Sequence, residues 1–257
     1  MEVSDKVAVI TGSSSGVGAA LAHQLASQGA RVVINYSRSE QAAERTRQGI
    51  ESVGGTAIVV QGDVAEQADC ERIIAKTIEH FGRLDILVNN AGTTTFVPHH
   101  ELDLLTEEIW LKTLRVNLLG AFFMSRLAAP HMRASGGGEI FMTSSIASIT
   151  ANGSSIAYCA SKAGMNSLTR TLAKTLGPDN IRVNAILPGL IDGEWAYETW
   201  GGGDDDQYAG LKKMFEDQTP LSHVVTPEDV ADAIMSQLTG SDYITGQLVT
   251  IDSGFTL

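Results

Sequence analysis

Seven short runs of mostly apolar, often β-branched residues alternate along the chain with segments long enough to form helices. The runs are Val7 to Thr11, Arg31 to Asn35, Ala57 to Gln61, Ile86 to Asn89, Glu139 to Thr143, Arg182 to Leu187 and Leu248 to Ile251. Consecutive apolar residues, as at Ile86-Leu87-Val88, are expected in strands that helices cover on both faces. Strands joined by helical crossovers form parallel sheets. The sequence therefore predicts one doubly wound α/β domain over residues 1–257, with seven parallel strands and about six helices.

The composition supports a folded globular protein and disfavours two functions. Hydrophobic residues make up 43% of the chain and charged residues 19%, enough apolar material for a sizeable core. The net charge of −12 disfavours binding to nucleic acid phosphates. We expect no membrane association, because no apolar stretch reaches the ~18–20 residues of a bilayer span. Without an apparent signal peptide, and with Cys70 and Cys159 as the only cysteines, we expect a cytoplasmic protein with reduced thiols.

The regular alternation stops between Asp192 and Phe215. Three glycines and three aspartates occupy positions 201–206, between aromatic residues and a short helical stretch. We interpret the segment at about 192–215 as a mobile insertion that acts as a substrate lid. Alternatively, the aspartates begin a helix, because carboxylates are favourable at a helix N-terminus. The aromatic residues of this segment either cover a ring-bearing or apolar substrate or pack the lid onto the body. They are Trp195, Tyr197, Trp200, Tyr208 and Phe215.

A glycine-rich turn follows the first predicted strand and leads into a helical run. Its sequence is Thr11-Gly12-Ser13-Ser14-Ser15-Gly16-Val17-Gly18. We expect Gly12 to allow a tight turn, Gly16 the close approach of a ligand, and Gly18 the packing of the helix on the strand. Exposed amides at the helix start suit a pyrophosphate. The turn therefore predicts a Rossmann-type fold whose dinucleotide contacts Gly12, Ser14, Ser15, Gly16, Val17 and Gly18.

The end of the second predicted strand bears on the choice of cofactor. An NAD-binding fingerprint places an acid there, whereas this chain has Ser37 and Arg38. A guanidinium and a hydroxyl would bind a 2′-phosphate through charge-assisted hydrogen bonds. The sequence therefore favours NADP, with NAD as the alternative if Arg38 is merely a solvated residue near Glu40.

Tyr158 and Lys162 are four residues apart, so on a helix their side chains share one face. A nearby ammonium favours phenolate and would lower the pKa of the tyrosine from about 10 towards the range that acid–base catalysis needs. We therefore expect Lys162 to lower the pKa of Tyr158. Such a pair is common on protein surfaces, and it identifies a site only together with other motifs.

Taken together, the motifs resemble those of the short-chain dehydrogenase/reductase family over essentially the whole chain. Besides the glycine-rich turn, the resemblance rests on the following residues, in chain order: Asp63-Val64, Asn89-Asn90-Ala91-Gly92, Asn117, Ser145, Tyr158-Cys159-Ala160-Ser161-Lys162 and Pro188-Gly189. Within the family, the chain is most similar to 3-oxoacyl-carrier-protein reductase-like members, judged by residues 35–39 and 243–247. The fold that this implies agrees with the strand pattern.

The resemblance also implies roles for individual residues. Ser145 would hydrogen-bond the substrate carbonyl or hydroxyl, and Tyr158 would exchange the proton. Lys162 would also hold the nicotinamide ribose, and Asn117 would keep a water in a relay from Lys162 to solvent. Further cofactor contacts are implied for Asp63, Val64, Asn90, Ala91, Gly92, Tyr158, Lys162, Pro188, Gly189 and Ile191. Two positions depart from the pattern: Gly193 stands near where members often have threonine, and Ser253 where glycine is frequent.

These observations predict an NADP-dependent oxidoreductase that interconverts a ketone, with a 3-oxoacyl compound as one candidate, and a secondary alcohol. An acidic carrier protein would need a basic rim, but the chain has no lysine or arginine from Leu190 to Leu211, and Asp179 makes another candidate rim acidic. An NAD-dependent dehydrogenase of a small cyclic, aromatic or sugar-type alcohol is therefore the alternative. A catalytically silent nucleotide-binding scaffold is disfavoured, because Ser145, Tyr158 and Lys162 are all present.

Two further expectations concern metals and assembly. His99 and His100 are adjacent, so they point to opposite sides of an extended chain, and we expect no metal site. The helical segments from Thr106 to Arg133 and from Ser155 to Leu176 carry more apolar residues than one sheet face can cover. With the family resemblance, this predicts a homotetramer.

Overall fold

The computed structural model describes residues 1–257 and contains one seven-stranded parallel sheet. The strands are β1 (Val7–Ile10), β2 (Arg31–Tyr36), β3 (Thr56–Gln61), β4 (Ile86–Asn89), β5 (Gly138–Thr143), β6 (Ile181–Pro188) and β7 (Leu248–Ile251). Their order in the sheet is β3-β2-β1-β4-β5-β6-β7. The doubly wound α/β fold is thus confirmed, and the strand boundaries lie within a residue or so of those expected.

The strand order reverses between β1 and β4, which fixes where a ligand can bind. Residues Ala8 to Ile10 pair with Ile86 to Val88, while β2 and β3 continue on the other side of β1. The loops that leave β1 and β4 diverge to opposite faces of the sheet, and a crevice opens outside their carboxyl ends. The glycine-rich turn follows β1 and therefore lies at this crevice.

Ten α-helices flank or cap the sheet. They are α1 (Gly16–Ser27), α2 (Glu40–Ser52), α3 (Gln67–Phe81), α4 (Glu107–Leu114), α5 (Ala121–Ala134), α6 (Ala147–Thr150), α7 (Ile156–Leu176), α8 (Glu194–Trp200), α9 (Asp205–Gln218) and α10 (Pro227–Thr239). The apolar sides of α1, α2 and α10 form one buried core with the sheet, and those of α3, α5 and α7 form the other. These are the six crossover helices, and none of the ten helices combines the length and hydropathy that a bilayer crossing requires.

The helical run expected from Thr106 to Arg133 is divided by a π-helical turn. Thr106 caps α4 by accepting a hydrogen bond from the amide of Ile109. Residues 115–120 then form a wider π turn, and α5 follows directly. Insertions of this kind often lie at functional sites, and this one contains Asn117.

The segment from Asp192 to Phe215, interpreted from the sequence as a mobile lid insertion, is largely helical. It contains α8 and most of α9, and only the glycine turn separates the two helices. The Asp204 carboxylate caps α9 by accepting a hydrogen bond of 2.9 Å from the amide of Gln207, so the alternative reading of the aspartates is correct. The cap satisfies an amide that a helix start otherwise leaves without a partner.

Candidate active site

A single large cleft of about 1460 Å³ opens at the carboxyl ends of the strands. The residues expected from the sequence that line it are Gly12, Ser15, Gly16, Val17, Ser37, Arg38, Asp63, Val64, Asn90, Ala91, Gly92, Ser145, Tyr158, Lys162, Pro188, Gly189 and Ile191. Ser14, Gly18 and Asn117 are not part of its wall. The fold therefore brings residues from the carboxyl ends of six strands and from the helices α1 and α7 into one continuous space.

The glycine-rich turn is held in shape by side chains from two neighbouring strands. Asn35, at the end of β2, accepts a hydrogen bond of 3.2 Å from the amide of Gly12. The Asn90 amide group donates to the carbonyls of Thr11 and Gly12, at 3.1 Å each. The Thr11 hydroxyl in turn accepts from the backbone amides of Asn90 and Ala91. The turn is thus formed before any ligand arrives.

Two glycines of the turn have distinct roles. A Cβ on Gly18 would lie 2.7 Å from the Gly12 carbonyl oxygen, so only glycine lets α1 approach the turn this closely. Gly16 has a φ of +56° and faces open space, with nothing within 4 Å of a Cβ built there. Gly18 therefore allows the close packing of α1, and Gly16 leaves room for a ligand at the helix start.

The start of α1 is suited to an anion. Its N-cap residue, Ser15, makes no side-chain capping bond, and the first turn contains no acidic residue. The amides there can therefore bind an external phosphate, and the helix dipole favours negative charge at that place. Arg38 also lines the cleft and forms no ion pair, while Arg47 pairs with Glu44 and Glu51. The residues present thus fit a phosphorylated dinucleotide.

Ser145, Tyr158 and Lys162 meet at the other end of the cleft. Ser155 caps α7 by accepting from the amide of Tyr158, which places Tyr158 and Lys162 on the first turns of that helix. The Lys162 ammonium donates to the Thr143 carbonyl at 2.7 Å and lies 5.6 Å from the centre of the Tyr158 ring. The Ser145 oxygen accepts from the amide of Ala147 at 3.1 Å, so its hydroxyl proton stays available to a ligand.

The expectation that Lys162 lowers the pKa of Tyr158 is wrong for the protein alone. Burial raises the pKa of Tyr158 to about 12, and interaction with the Ser145 side chain opposes that rise. Burial also lowers the pKa of Lys162 to about 8. Both groups are almost completely removed from water, so the loss of hydration outweighs their mutual interaction. At neutral pH the tyrosine is a protonated phenol beside an ammonium.

Asn117 lies behind the cleft wall and not in it. Its side chain accepts from the amide of Thr93 at 2.8 Å and donates to the Thr93 carbonyl and the Ser161 hydroxyl at 3.0 Å each. A Cβ on Gly92 would lie 3.7 Å from both the Asn117 oxygen and the Lys162 nitrogen. Asn117 thus joins the loop after β4 to α7, next to Lys162. Asn89 is buried and donates a hydrogen bond of 3.1 Å to the Ser125 hydroxyl of α5.

Several cleft residues were missed by sequence reasoning. Asn35 is a polar residue at the end of a buried strand, and that position is the signal that could have revealed its part in the turn. Lys112 and Arg115 also line the cleft, so the cleft wall includes basic residues outside the segment from Leu190 to Leu211. The acidic group considered for the rim, Asp179, is paired with Arg133. No local pattern marks the position of these cations, because the packing of α4 determines it.

The aromatic residues of the segment 192–215 divide between the two expected roles. Tyr197 packs edge-on against Tyr208, with ring centres 5.6 Å apart, and Phe215 stacks on Phe255 at 4.8 Å. Trp200 packs edge-on against Phe96. Trp195 instead lies in the cleft 6.1 Å from the Tyr158 ring, with 48% of its surface exposed. Tyr197 and Tyr208 therefore join α8 to α9, Trp200 and Phe215 pack these helices onto the body, and Trp195 faces the open cleft.

Comparison with known proteins agrees with this geometry. Residues 12–256 match the family model described as enoyl-(acyl carrier protein) reductase. A proposed short-chain dehydrogenase/reductase from Burkholderia xenovorans has a crystal structure that is similar with a TM-score of 0.88 and 33% identity, over 97% of both chains. The chain belongs to the short-chain dehydrogenase/reductase family, and it is an NAD(P)-dependent oxidoreductase.

Two similar proteins carry more specific names. A proposed ketoacyl reductase of the granaticin polyketide synthase from Streptomyces violaceoruber is 41% identical over 248 residues, which cover 96% of this chain and 95% of that protein. An L-rhamnose 1-dehydrogenase (NAD(P)(+)) from Azotobacter vinelandii is 38% identical over 257 residues, which cover 97% of this chain and 96% of that one. The two names differ in substrate, so they show the class of reaction and not the molecule transformed.

Proposed function

We propose that the protein is an NADP-dependent reductase that interconverts a ketone of the 3-oxoacyl type and the corresponding secondary alcohol. The observation that carries this proposal is the continuity of one cleft from the start of α1 to Ser145, Tyr158 and Lys162. A dinucleotide bound by its phosphates at the helix start would extend towards these three side chains. The similarity to the granaticin ketoacyl reductase supports the substrate class.

The three side chains are suited to proton transfer at a carbonyl. The Tyr158 phenol, protonated at neutral pH, donates its proton to the carbonyl oxygen, and Ser145 donates a hydrogen bond to the same oxygen. The Lys162 ammonium favours the phenolate that remains and returns a proton to it. The bound NADPH supplies the hydride. In this proposal Asn117 positions the loop of Thr93 beside Lys162, where a water in the relay would be held.

The cofactor proposal rests on the amides of α1 and on Arg38. Gly12, Ser15, Gly16 and Val17 surround the pyrophosphate position, and Ser37 with Arg38 faces the 2′-phosphate. Asp63, Val64 and Asn90 to Gly92 line the adenosine side, while Pro188, Gly189 and Ile191 contact the nicotinamide end. Gly18 and Ser14 shape the turn from behind, since neither lines the cleft.

Turnover of a panel of ketones with NADPH and with NADH tests the proposal. We expect oxidation of NADPH by a 3-oxoacyl thioester analogue, with a clearly lower kcat/KM for NADH. The Tyr158→Phe variant is the matched control for enzyme-dependent turnover. No oxidation of either cofactor across the panel would remove the proposed function.

A second candidate is oxidation of a sugar-type alcohol, which the similarity to L-rhamnose 1-dehydrogenase favours. Asn152, Glu194 and Glu198 line the cleft and could hydrogen-bond sugar hydroxyls. Under this candidate, L-rhamnose with NAD⁺ or NADP⁺ would give a higher kcat/KM than any ketone gives with NADPH. The ketone panel, extended by L-rhamnose with NAD⁺ and with NADP⁺, distinguishes the ketone reductase from the sugar dehydrogenase.

We also propose that the protein is a homotetramer that works in the cytoplasm. Leu111, Leu119 and Phe122, on the helical run that contains α4 and α5, are exposed in the single chain, and a closed assembly would cover them. Both cysteines are buried and unpaired, which suits a reducing compartment. Light scattering that gives the mass of one 27.3 kDa chain at micromolar concentration would contradict the assembly.

A further inference from the structure

Trp195 differs from the other aromatic residues that line the cleft in being exposed. It lies on the first turn of α8, and 48% of its surface is exposed although it lines the cleft. Trp200, on the same helix, packs edge-on against Phe96 with ring centres 5.5 Å apart. An indole left partly uncovered inside a cleft presents a flat apolar surface to whatever binds there.

The exposed indole is close to the reacting groups. Its ring centre lies 6.1 Å from that of Tyr158, and the two planes are inclined by 43°. Two small residues also lie against Tyr158: Ala147 packs against it, and a Cβ on Gly153 would lie 3.4 Å from a carbon of its ring. The space beside the Tyr158 ring is therefore bounded on one side by the broad aromatic surface of Trp195.

The charges that flank Trp195 on α8 are negative and unpaired. Glu194 and Glu198 are exposed on α8, line the cleft and form no ion pair. The nearest lysine in sequence, Lys212, is paired with Asp192. The cations that line the cleft are Arg38, Lys112, Arg115 and Lys162, and none of them lies on α8 or α9. A carboxylate or phosphate held against α8 would therefore meet the like charges of Glu194 and Glu198, whereas the Lys162 ammonium lies on the Tyr158 side and donates its hydrogen bond to the Thr143 carbonyl.

We propose that Trp195 determines specificity by stacking on a flat, uncharged ring system that carries the ketone, and that Glu194 and Glu198 exclude a negative charge from that ring system. This inference rests on the proposed ketone reductase function and names its substrate class. Stacking holds the ring against the indole while the carbonyl oxygen reaches the Tyr158 hydroxyl. Orientation of this kind lowers KM for ring-bearing ketones without changing the proton-transfer groups.

The first experiment compares 1-tetralone, a fused-ring ketone, with the acyclic 2-octanone under NADPH. Trp195→Ala should raise KM for 1-tetralone by about tenfold or more, with kcat within about threefold and little change for 2-octanone. Trp195→Phe, which keeps an aromatic face, should stay within about threefold of the unmutated protein. Trp110→Ala is the matched control, since Trp110 lies on α4 outside the cleft lining.

The second experiment tests the charges with a tetralone that carries a carboxylate far from its carbonyl. Its KM should exceed that of 1-tetralone by about fivefold or more, and the Glu194→Gln/Glu198→Gln double variant should narrow the difference. A carboxylated substrate that binds as well as the neutral one would overturn the charge exclusion. Added salt should also reduce the difference in KM between the carboxylated tetralone and 1-tetralone, because screening weakens interactions between exposed charges.

The third experiment separates failure of this inference from failure of the proposed function. Calorimetry measures binding of 1-naphthol to the complex with NADP⁺, which needs no turnover. If no ketone is reduced but 1-naphthol binding weakens about fivefold or more in Trp195→Ala, the reductase function fails and the ring-stacking site stands. If ketones are reduced but Trp195→Ala affects 1-tetralone and 2-octanone equally, the reductase function stands and the inference is overturned. A higher kcat/KM for L-rhamnose than for 1-tetralone would overturn both.

Discussion

The nucleotide end and the substrate end of the cleft are built in different ways. Around the glycine-rich turn, Asn35, Asn90 and Thr11 form a closed set of hydrogen bonds between neighbouring strands. The substrate end is covered by α8 and α9, and no residue of α9 is buried. That helix is attached through aromatic pairs and through Asp192, which accepts hydrogen bonds from Tyr208 and Lys212. The comparison teaches that the glycine-rich turn proposed to bind the cofactor is preformed, whereas the end proposed to bind the substrate is covered by two helices, α8 and α9, that have little core of their own.

The largest expected effect comes from the hydroxyl at the junction of the two ends. Tyr158→Phe should lower kcat by about 10²- to 10⁴-fold, because it removes the proton donor. NADPH affinity should change by less than about twofold, since the preformed nucleotide end is untouched. Lys162→Ala should lower kcat and also weaken NADPH binding. Steady-state kinetics and fluorescence titration of NADPH measure them, and a Tyr158→Phe enzyme with near-normal kcat would refute the proton-transfer role.

The next effect tests the nucleotide end alone. Arg38→Ala should weaken NADPH binding by roughly 10- to 150-fold, because a charged hydrogen bond to phosphate contributes about 1.5–3 kcal/mol. The Kd for NADH should stay nearly constant, since NADH lacks the 2′-phosphate. Equal Kd values for the two cofactors in the unmutated protein would show that the assignment of NADP is wrong.

A matched pair of glycine substitutions compares the rigidity of the two ends directly. Gly18→Ala would force a Cβ to within 2.8 Å of Ser13 and of the Asn90 side chain, and should lower the free energy of unfolding by about 1–3 kcal/mol. Gly210→Ala lies in α9 with nothing within 4 Å of the added Cβ, and should raise it by up to about 1 kcal/mol. Chemical denaturation measures the free energy of unfolding of both variants. Equal changes in the two variants would contradict the difference in packing between the two ends of the cleft.

The pKa of Lys162 predicts how ketone reduction depends on pH. Its ammonium is present below a pKa of about 8, and Tyr158, with a pKa of about 12, stays protonated throughout the neutral range. The kcat/KM for reduction should therefore be flat near neutrality and fall above about pH 8, as Lys162 loses the proton that it returns to Tyr158. In Lys162→Arg the guanidinium stays charged, so the fall should move to higher pH. If the pH profile of Lys162→Arg matched that of the unmutated protein, the titration of Lys162 would not be the cause of the fall in kcat/KM.

The smallest expected effect concerns closure of α8 and α9 over the cleft. We expect protease to cut the protein between Gly201 and Asp206, where Gly202 and Gly203 have positive φ angles, and NADPH with a substrate analogue to slow the cut several-fold. Asp204→Ala, which removes the cap of α9 at a cost of about 1 kcal/mol, should speed cutting in the free protein. A rate that both ligands together leave unchanged would make this segment a static rim rather than a lid.

The strands of the parallel sheet and the position of the glycine-rich turn could be predicted because their signals are local. Buried parallel strands must be apolar on both faces, and a turn that admits a phosphate needs glycine at fixed places. The pKa of Tyr158 could not be predicted, because the spacing to Lys162 is local but the burial of both groups is not. The course of residues 192–215 stayed open between a mobile insertion and a helix start, because glycines and aspartates occur both in irregular segments and at helix starts.

The sequence by itself determined the fold, the family and the set of side chains available for chemistry, because periodicity and motif spacing depend on residues near one another in the chain. Only the tertiary structure decided which groups share the cleft. It placed Trp195 beside Tyr158, brought Lys112 and Arg115 to the wall, and moved Asn117 behind it. These relations join residues from separate elements, and the packing of helices on the sheet sets their distances. The same packing removes water from Tyr158 and Lys162, which is why their pKa values follow from burial rather than from spacing.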